Sequence, residues 1–300
     1  MKYTNLLDII GNTPIVELTK FPPNRKVQII AKLEGTNPGG SVKDRIALYM
    51  IQDARKRGLL SRNKTIIEAT SGNTGIGLAM ISAYFGYKFT AVMPESASLE
   101  RRKLMKAYGA KIILTDGSKG TNYAIQIVNI LVKENPGKFI HLDQFNNPMN
   151  VSAHYQTTGK EIIEQVPDIT HFVAGMGTGG TLMGTGKRLK EYRRNIKIIG
   201  VEPKAGSSVQ GLRNMKTYVP SIYKEAGLDG KLDMIDDQQA FLLARDLYRK
   251  EGLSVGISSG AALWGAIEVS KTLKSGVIVI LFPDRGDKYS STKLFEDQAK

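Results

Sequence analysis

The chain reads as an α/β protein whose mostly parallel sheets are covered by helices, and three observations carry that expectation. Short β-branched or aliphatic runs alternate with longer helical patterns along all 300 residues. Two glycine-rich turns each join a strand to a helix, and the strongly apolar stretches, such as Val277 to Phe282, are only strand-sized. Strands are expected at 28–33, 65–70, 89–94, 111–115, 139–145, 171–176, 197–201 and 277–283. Helices are expected at 42–57, 74–86, 98–108, 120–134, 152–165, 181–193, 236–251 and 260–273. The turn-rich break Asn146-Asn147-Pro148 divides the chain into units 1–147 and 148–300 with a ligand cleft between them, the first strands being free to pack on the second unit.

The first stretch that carries chemistry is Asn37-Pro-Gly-Gly-Ser-Val-Lys-Asp-Arg45. Ser41 fits an N-cap, Asp44 fits the third position of a capping box, and Ile46, Leu48, Met50 and Ile51 begin the helix. Lys43 thus falls in the first turn, where free backbone N–H groups and the positive end of the helix dipole favour the neutral amine. A neutral lysine amine attacks aldehydes and accepts protons. On spacing alone, a solvated lysine at a helix start explains the residue equally well.

The turn Thr70-Ser71-Gly72-Asn73-Thr74-Gly75 follows the strand Ile66 to Ala69, and Gly175-Met176-Gly177-Thr178-Gly179-Gly180-Thr181 follows His171 to Ala174. Exposed N–H groups at such helix starts suit phosphate or carboxylate, and glycine lets the backbone approach the anion. Gly175, Gly177 and Gly180 also satisfy G-x-G-x-x-G, with Glu202 about 22 residues on, so an NAD-dependent dehydrogenase stays open. Gly256-Ile257-Ser258-Ser259-Gly260, read as the approach to a helix at 261–271, satisfies the G-x-S-x-G of hydrolases. That fold needs a histidine after the serine, whereas His141, His154 and His171 all precede it. The three histidines lack metal-ligand spacing, so no metal is expected.

Composition bounds the rest. With no cysteine, any sulfur chemistry must use a substrate's sulfur. The opening residues lack a signal-type apolar core, which suggests a cytoplasmic protein with no membrane segment. A net charge of +14 raises nucleic acid as a partner. The basic residues, however, alternate with acids, as in Glu100 to Lys106, and read more simply as solvated helix faces that attract small anions.

Taken together, Ser41-Val42-Lys43-Asp44-Arg45, Thr70 to Gly75, Gln144-Phe145-Asn146-Asn147-Pro148 and Gly177 to Thr181 resemble the motifs of the fold-type II pyridoxal-phosphate enzymes. The likeness is greatest to the O-acetylserine sulfhydrylases (cysteine synthases) of the B type, and runs from Ile10-Gly11-Asn12-Thr13-Pro14 to Tyr289-Ser290-Ser291-Thr292. The resemblance implies a tryptophan synthase β-like fold with pyridoxal 5′-phosphate held by Lys43 as a Schiff base, Lys43 also moving the α-proton. It further implies Asn73 on the cofactor's 3′ oxygen, Gly177, Thr178, Gly179, Gly180 and Thr181 around its phosphate, and Ser258 at its pyridine nitrogen. Thr70, Ser71, Thr74 and Gln144 would hold the substrate's α-carboxylate.

The implied reaction replaces the O-acetyl group of an activated L-serine by sulfide through an α-aminoacrylate, giving L-cysteine. Arg213 and the segment Asp284-Arg285-Gly286-Asp287 resemble the B type, so O-phosphoserine as donor and thiosulfate as sulfur source are also expected. A homodimer is implied, while a complex with serine acetyltransferase belongs mainly to the A type and is not expected. Cystathionine β-synthase resembles the core, and β-replacement of its type is the nearest alternative. That enzyme's haem-binding and regulatory segments and its serine-loop sequence are not found here.

Overall fold

The computed structural model describes residues 5–234 and 236–296. Two sheets organise them. The larger has six strands in the order β1 (Ile15–Glu17), β2 (Val27–Leu33), β10 (Gly276–Phe282), β7 (His171–Gly175), β8 (Lys197–Pro203) and β9 (Gly230–Met234). Its strands are parallel except for the β1–β2 pair. The smaller sheet is parallel throughout, in the order β5 (Lys111–Thr115), β4 (Lys88–Pro94), β3 (Thr65–Ala69) and β6 (Phe139–His141).

Strand β10 shows why an unbroken apolar run becomes a central strand. Ile278, Ile280 and Phe282 enter the core on one face of the large sheet, and Val277, Val279 and Leu281 enter the core on the other. A strand covered on both faces has no reason to alternate with polar residues. The same two-sided burial places Ile66 and Ile67 of β3 in separate cores of the small sheet.

Nine α-helices lie among the described residues: α1 (Lys43–Lys56), α2 (Asn73–Phe85), α3 (Leu99–Ala107), α4 (Gly120–Glu134), α5 (Pro148–Ala153), α6 (Gly159–Gln165), α7 (Gly180–Tyr192), α8 (Asp237–Glu251) and α9 (Ile257–Lys271). Helices α2 and α9 are apolar around much of their circumference and correspondingly buried over most of their first ten residues. None of the helices is long and apolar enough to cross a membrane.

Several boundaries differ from the sequence expectation. Strand β6 stops at His141 because Asp143 adopts left-handed backbone (φ 55°) and its carbonyl accepts the N–H groups of Asn146 and Asn147. The helix expected at 152–165 begins at Pro148 and passes through a π turn, His154–Thr158, between α5 and α6. Ser258 lies inside the first turn of α9 rather than ahead of it. Of the edge strands, β1 is too short and β9 too polar to stand out in the sequence.

The topology brings loops together. Strands β2, β10 and β7 are neighbours, so the chain leaves all three at one edge of the large sheet; there β2 leads to α1, and β7 leads to the turn before α7. From the small sheet, β3 leads to Thr70 and α2, and β6 leads to Gln144. A cleft at the carboxyl ends of strands is where α/β sheets place ligands.

Candidate active site

Lys43 opens α1 at the crossing from one sheet to the other. Burial pushes its ammonium pKa down, against the pull of Asp284 and Glu34. Desolvation therefore favours the neutral amine here, rather than the helix end invoked from the sequence. The expected capping box is not formed: Ser41 Oγ accepts from the Lys43 N–H at 3.2 Å, and Asp44 Oδ2 turns back to the Gly39 N–H at 2.6 Å. These bonds close the small-residue turn that delivers Lys43 to the cavity. Burial raises Asp44 to about 7 despite Lys288 nearby.

One cavity is lined by Lys43, Thr70, Ser71, Asn73, Thr74, Gln144, Gly177, Thr178, Gly179, Thr181, Arg213 and Ser258. Of the cofactor- and substrate-binding residues that the resemblance implies, only Gly180 is not on its wall. Thr70 Oγ1 accepts from the N–H groups of Gly72 (3.0 Å) and Gly75 (3.1 Å), so its own O–H remains a donor. Thr74 donates to Gln144 Oε1 at 2.6 Å, and Gln144 Nε2 donates to the Ala69 carbonyl at 2.8 Å, which fixes the amide. Asn73 Nδ2 donates to Asp284 Oδ2 at 2.6 Å while its Oδ1 receives Lys288 Nζ at 3.2 Å. One N–H of Asn73 is left over.

Across the cavity, Gly179 takes left-handed backbone (φ 85°), and a Cβ there would lie 2.9 Å from Tyr223 Cβ. The turn presents backbone N–H groups and the Thr178 hydroxyl at the start of α7. Ser258 is nearly buried at the start of α9. Arg213 is stacked between Phe145 (4.5 Å) and Tyr218 (4.8 Å) and donates to Asn122 Oδ1 at 2.7 Å. Burial lowers its pKa.

Sequence reasoning missed Arg101 and Lys288. Arg101 falls in the run read as a solvated helix face, yet it is 2% exposed and lines the cavity. It hydrogen-bonds Gln210, lies 3.6 Å from Asp284 and covers the Tyr289 ring at 4.4 Å. Its partners all lie more than 100 residues away, so no local pattern marks it. The sequence marks Asp284 only as part of a segment that resembles the B type.

The dinucleotide reading fails on Glu202. Its carboxylate accepts from the Met215 N–H at 2.5 Å and pairs with Lys231 at 2.6 Å, so it is committed to the fold. The pyridoxal-phosphate family profile, by contrast, matches residues 6–284. This chain belongs to the pyridoxal-phosphate-dependent enzymes. Within them it is 48% identical to a cysteine synthase of Aquifex aeolicus, over 98% of this chain and 92% of that one. It is 44% identical to cysteine synthase B of Escherichia coli, over 98% and 97% of the two chains. The crystal structure of a cysteine synthase from Entamoeba histolytica superposes with a TM-score of 0.92 at 39% identity, covering 100% of this chain and 93% of that one.

The side chains suit the family's cofactor. A half-buried amine on the cavity wall, with no ion-pair or hydrogen-bond partner among the described residues, is available for an aldehyde, and the glycine turn supplies donors for a phosphate.

Proposed function

We propose that this enzyme is a cysteine synthase that replaces the O-acetyl group, or a more anionic O-phospho group, of an activated L-serine by sulfide or thiosulfate. The observation that carries the reading is the convergence of the Lys43 amine, the starts of α2, α7 and α9, and Arg213 on one cavity. Bound pyridoxal phosphate supplies an electron sink for charge that develops at the substrate's α-carbon.

Each protein group has a task that its environment supports. Lys43 Nζ would hold the cofactor at its aldehyde, and the same amine is placed to take a proton from the substrate's α-carbon and to return it. Burial lowers its pKa against the pull of Asp284 and Glu34, which favours the neutral amine that this role needs. The glycine turn with Thr178 and Thr181 would hold the phosphate, and Asn73 has an N–H to spare that would serve the 3′ oxygen. Ser258 would offer the ring nitrogen a neutral hydroxyl and no counter-charge, which would leave the ring a weaker electron sink. That weaker sink suits elimination of a good leaving group. Thr70, Ser71, Thr74 and Gln144 hold the α-carboxylate, and Arg213 faces the leaving group or the thiosulfate. Residues 1–147 and 148–300 supply its two units, with β1 and β2 of the first joining the sheet of the second, and the family likeness supports a homodimer in the cytoplasm.

The test is spectroscopic. The purified protein shows a visible absorbance band that borohydride bleaches, with the reduced adduct recovered on the Lys43 peptide by mass spectrometry. Lys43→Ala loses both the band and turnover with O-acetylserine and sulfide. A colourless protein that does not take up pyridoxal phosphate sinks the reading.

A further inference from the structure

Arg101 runs against two rules for a cation. It stands in the first turn of α3, at the positive end of the helix dipole, and it is buried, where an unmatched charge is costly. Proteins keep such local conflicts mainly at functional sites, and Arg101 lies on the cavity wall.

The chain makes room for it. Gly72, in the turn between β3 and α2, has φ 150°, and a Cβ there would collide with Arg101 Cδ and fall 2.8 Å from Arg101 Nε. The arginine stem therefore lies against the turn that carries Thr70, Ser71 and Thr74. Its Nη1 donates to Gln210 Oε1, while its buried Nε has no hydrogen-bond partner among the described residues.

The neighbouring charges do not cancel. Lys288 is a second buried cation, and its Nζ gives hydrogens to the Gly39 and Gly40 carbonyls (2.8 and 2.9 Å) and to Asn73 Oδ1 (3.2 Å), all of them neutral. The buried carboxylates facing this pair are Asp284 and Asp44. Asp284 Oδ2 already receives Asn73 Nδ2 (2.6 Å) and the Tyr289 hydroxyl (2.8 Å), and at 3.6 Å it is too far to accept from Arg101. Asp44, raised to about 7 by burial, is only partly ionised at neutral pH. Glu34, which also faces Asp44, is paired with Arg45, and Asp287 is exposed. Two buried cations thus face Asp284 and a fraction of Asp44, and an anion in the cavity completes the balance.

The groups read as holding the substrate's α-carboxylate, Thr70, Ser71, Thr74 and Gln144, are all neutral. They offer hydrogens to a carboxylate, and the start of α2 adds a partial charge, but neither separates a carboxylate from an amide by a full unit of charge.

We propose that Arg101 is a specificity-determining residue whose charge, set against Gly72, selects amino acids with a free carboxylate at the Thr70 to Thr74 turn. The proposal rests on the cysteine synthase reading only in taking that turn as the carboxylate's site.

Holoenzyme of the wild type and of Arg101→Met, Arg101→Gln and Arg101→Lys is titrated with L-alanine, which has no leaving group, and with L-alaninamide, in which a neutral amide replaces the carboxylate. Binding is read from the shift of the visible cofactor band, and thermal unfolding reports folding. Arg101→Met weakens L-alanine about tenfold to hundredfold, the range for one interaction with a charged group, and leaves L-alaninamide and the uptake of pyridoxal phosphate unchanged. Arg101→Lys keeps the charge and recovers most of the affinity. Arg101→Gln, neutral but polar, behaves as Arg101→Met and carries the test if the methionine variant does not fold.

Equal losses for L-alanine and L-alaninamide overturn the proposal, since an arginine that only ties α3 to Gln210 would produce them. Unchanged L-alanine affinity in the neutral variants overturns it too, as does a lysine variant as weak as the methionine one. A wild-type protein that takes up no pyridoxal phosphate fails the functional reading instead.

Discussion

Arg45, two residues beyond Lys43, ties the reactive helix to three other segments. Its guanidinium meets Glu34 through Nε (2.7 Å) and Nη2 (2.9 Å), and Glu161 of α6 through Nη1 (2.6 Å) and Nη2 (2.7 Å), with Thr13 also in reach. Lys32 completes the cluster at 2.8 Å from Glu161, so two cations face two carboxylates inside the protein. Such a cluster adds little beyond an apolar core, but removing one member strands the others. Arg45→Met leaves both carboxylates without their main partner and lowers unfolding free energy by about 3–5 kcal/mol, read from urea denaturation at neutral pH. The pH dependence has a definite sign. Burial alone would raise Glu161, but the bonds and charge of Arg45, with Lys32, hold it at about 2 against an ordinary 4.5. Its stabilising contribution is therefore complete above pH 4.5 and is lost as pH falls through 2. The gap between wild type and Arg45→Met narrows over that window; a constant gap contradicts the assignment. The Ser41 to Arg45 motif was visible in the sequence. What its arginine holds was not, because Glu161 is 116 residues away.

At the level of elements, three helices join α1 and its Lys43 in delivering the site from their first turns: α2 with Asn73, α7 behind the glycine turn and α9 with Ser258. Two of these were legible because a glycine-rich turn between a strand and a helix is a local signal. The start of α9 was misplaced because glycine and serine at 256–260 read as a loop. Gly260 is instead buried in helix, and it serves packing: a Cβ there would fall 1.9 Å from the Ala240 carbonyl oxygen and 2.7 Å from the Ala244 nitrogen. The π turn was also illegible, since nothing in the residue pattern separates a wide turn from an ordinary one. Gly260→Ala forces α9 away from α8, costing about 1–3 kcal/mol as overpacking does. Ser258, two residues earlier, moves with it. The variant is expected to show both a lower unfolding midpoint and weaker uptake of pyridoxal phosphate, whereas a purely global defect would lower the midpoint alone.

Over the whole molecule, the two sheets share one cleft and the chain carries an excess of 14 positive charges. Many basic side chains are paired at the surface, as Lys190 with Asp229 and Lys250 with Asp246, which fits the solvated faces expected from the sequence. The remaining excess still sets a long-range field, screened over roughly 10 Å near 0.1 M salt. Arg213 acts differently, at contact distance on the cavity wall and held by Phe145, Tyr218 and Asn122. The two effects separate kinetically. The field changes how often an anionic donor arrives, so kcat/KM for O-phosphoserine falls more steeply with ionic strength than kcat/KM for O-acetylserine, which carries no net charge. Contact with Arg213 changes how well the donor is held once it arrives. Arg213→Met therefore lowers kcat/KM for O-phosphoserine by about tenfold or more at every salt concentration, as loss of a charged hydrogen bond would, while O-acetylserine changes little and the salt slope persists. Steady-state rates with both donors at a fixed sulfide concentration, across a salt series, decide the matter. If the variant treats both donors as wild type does, Arg213 has no part in donor choice; if the slope vanishes with the arginine, the attraction is local and the overall charge is a solubility feature.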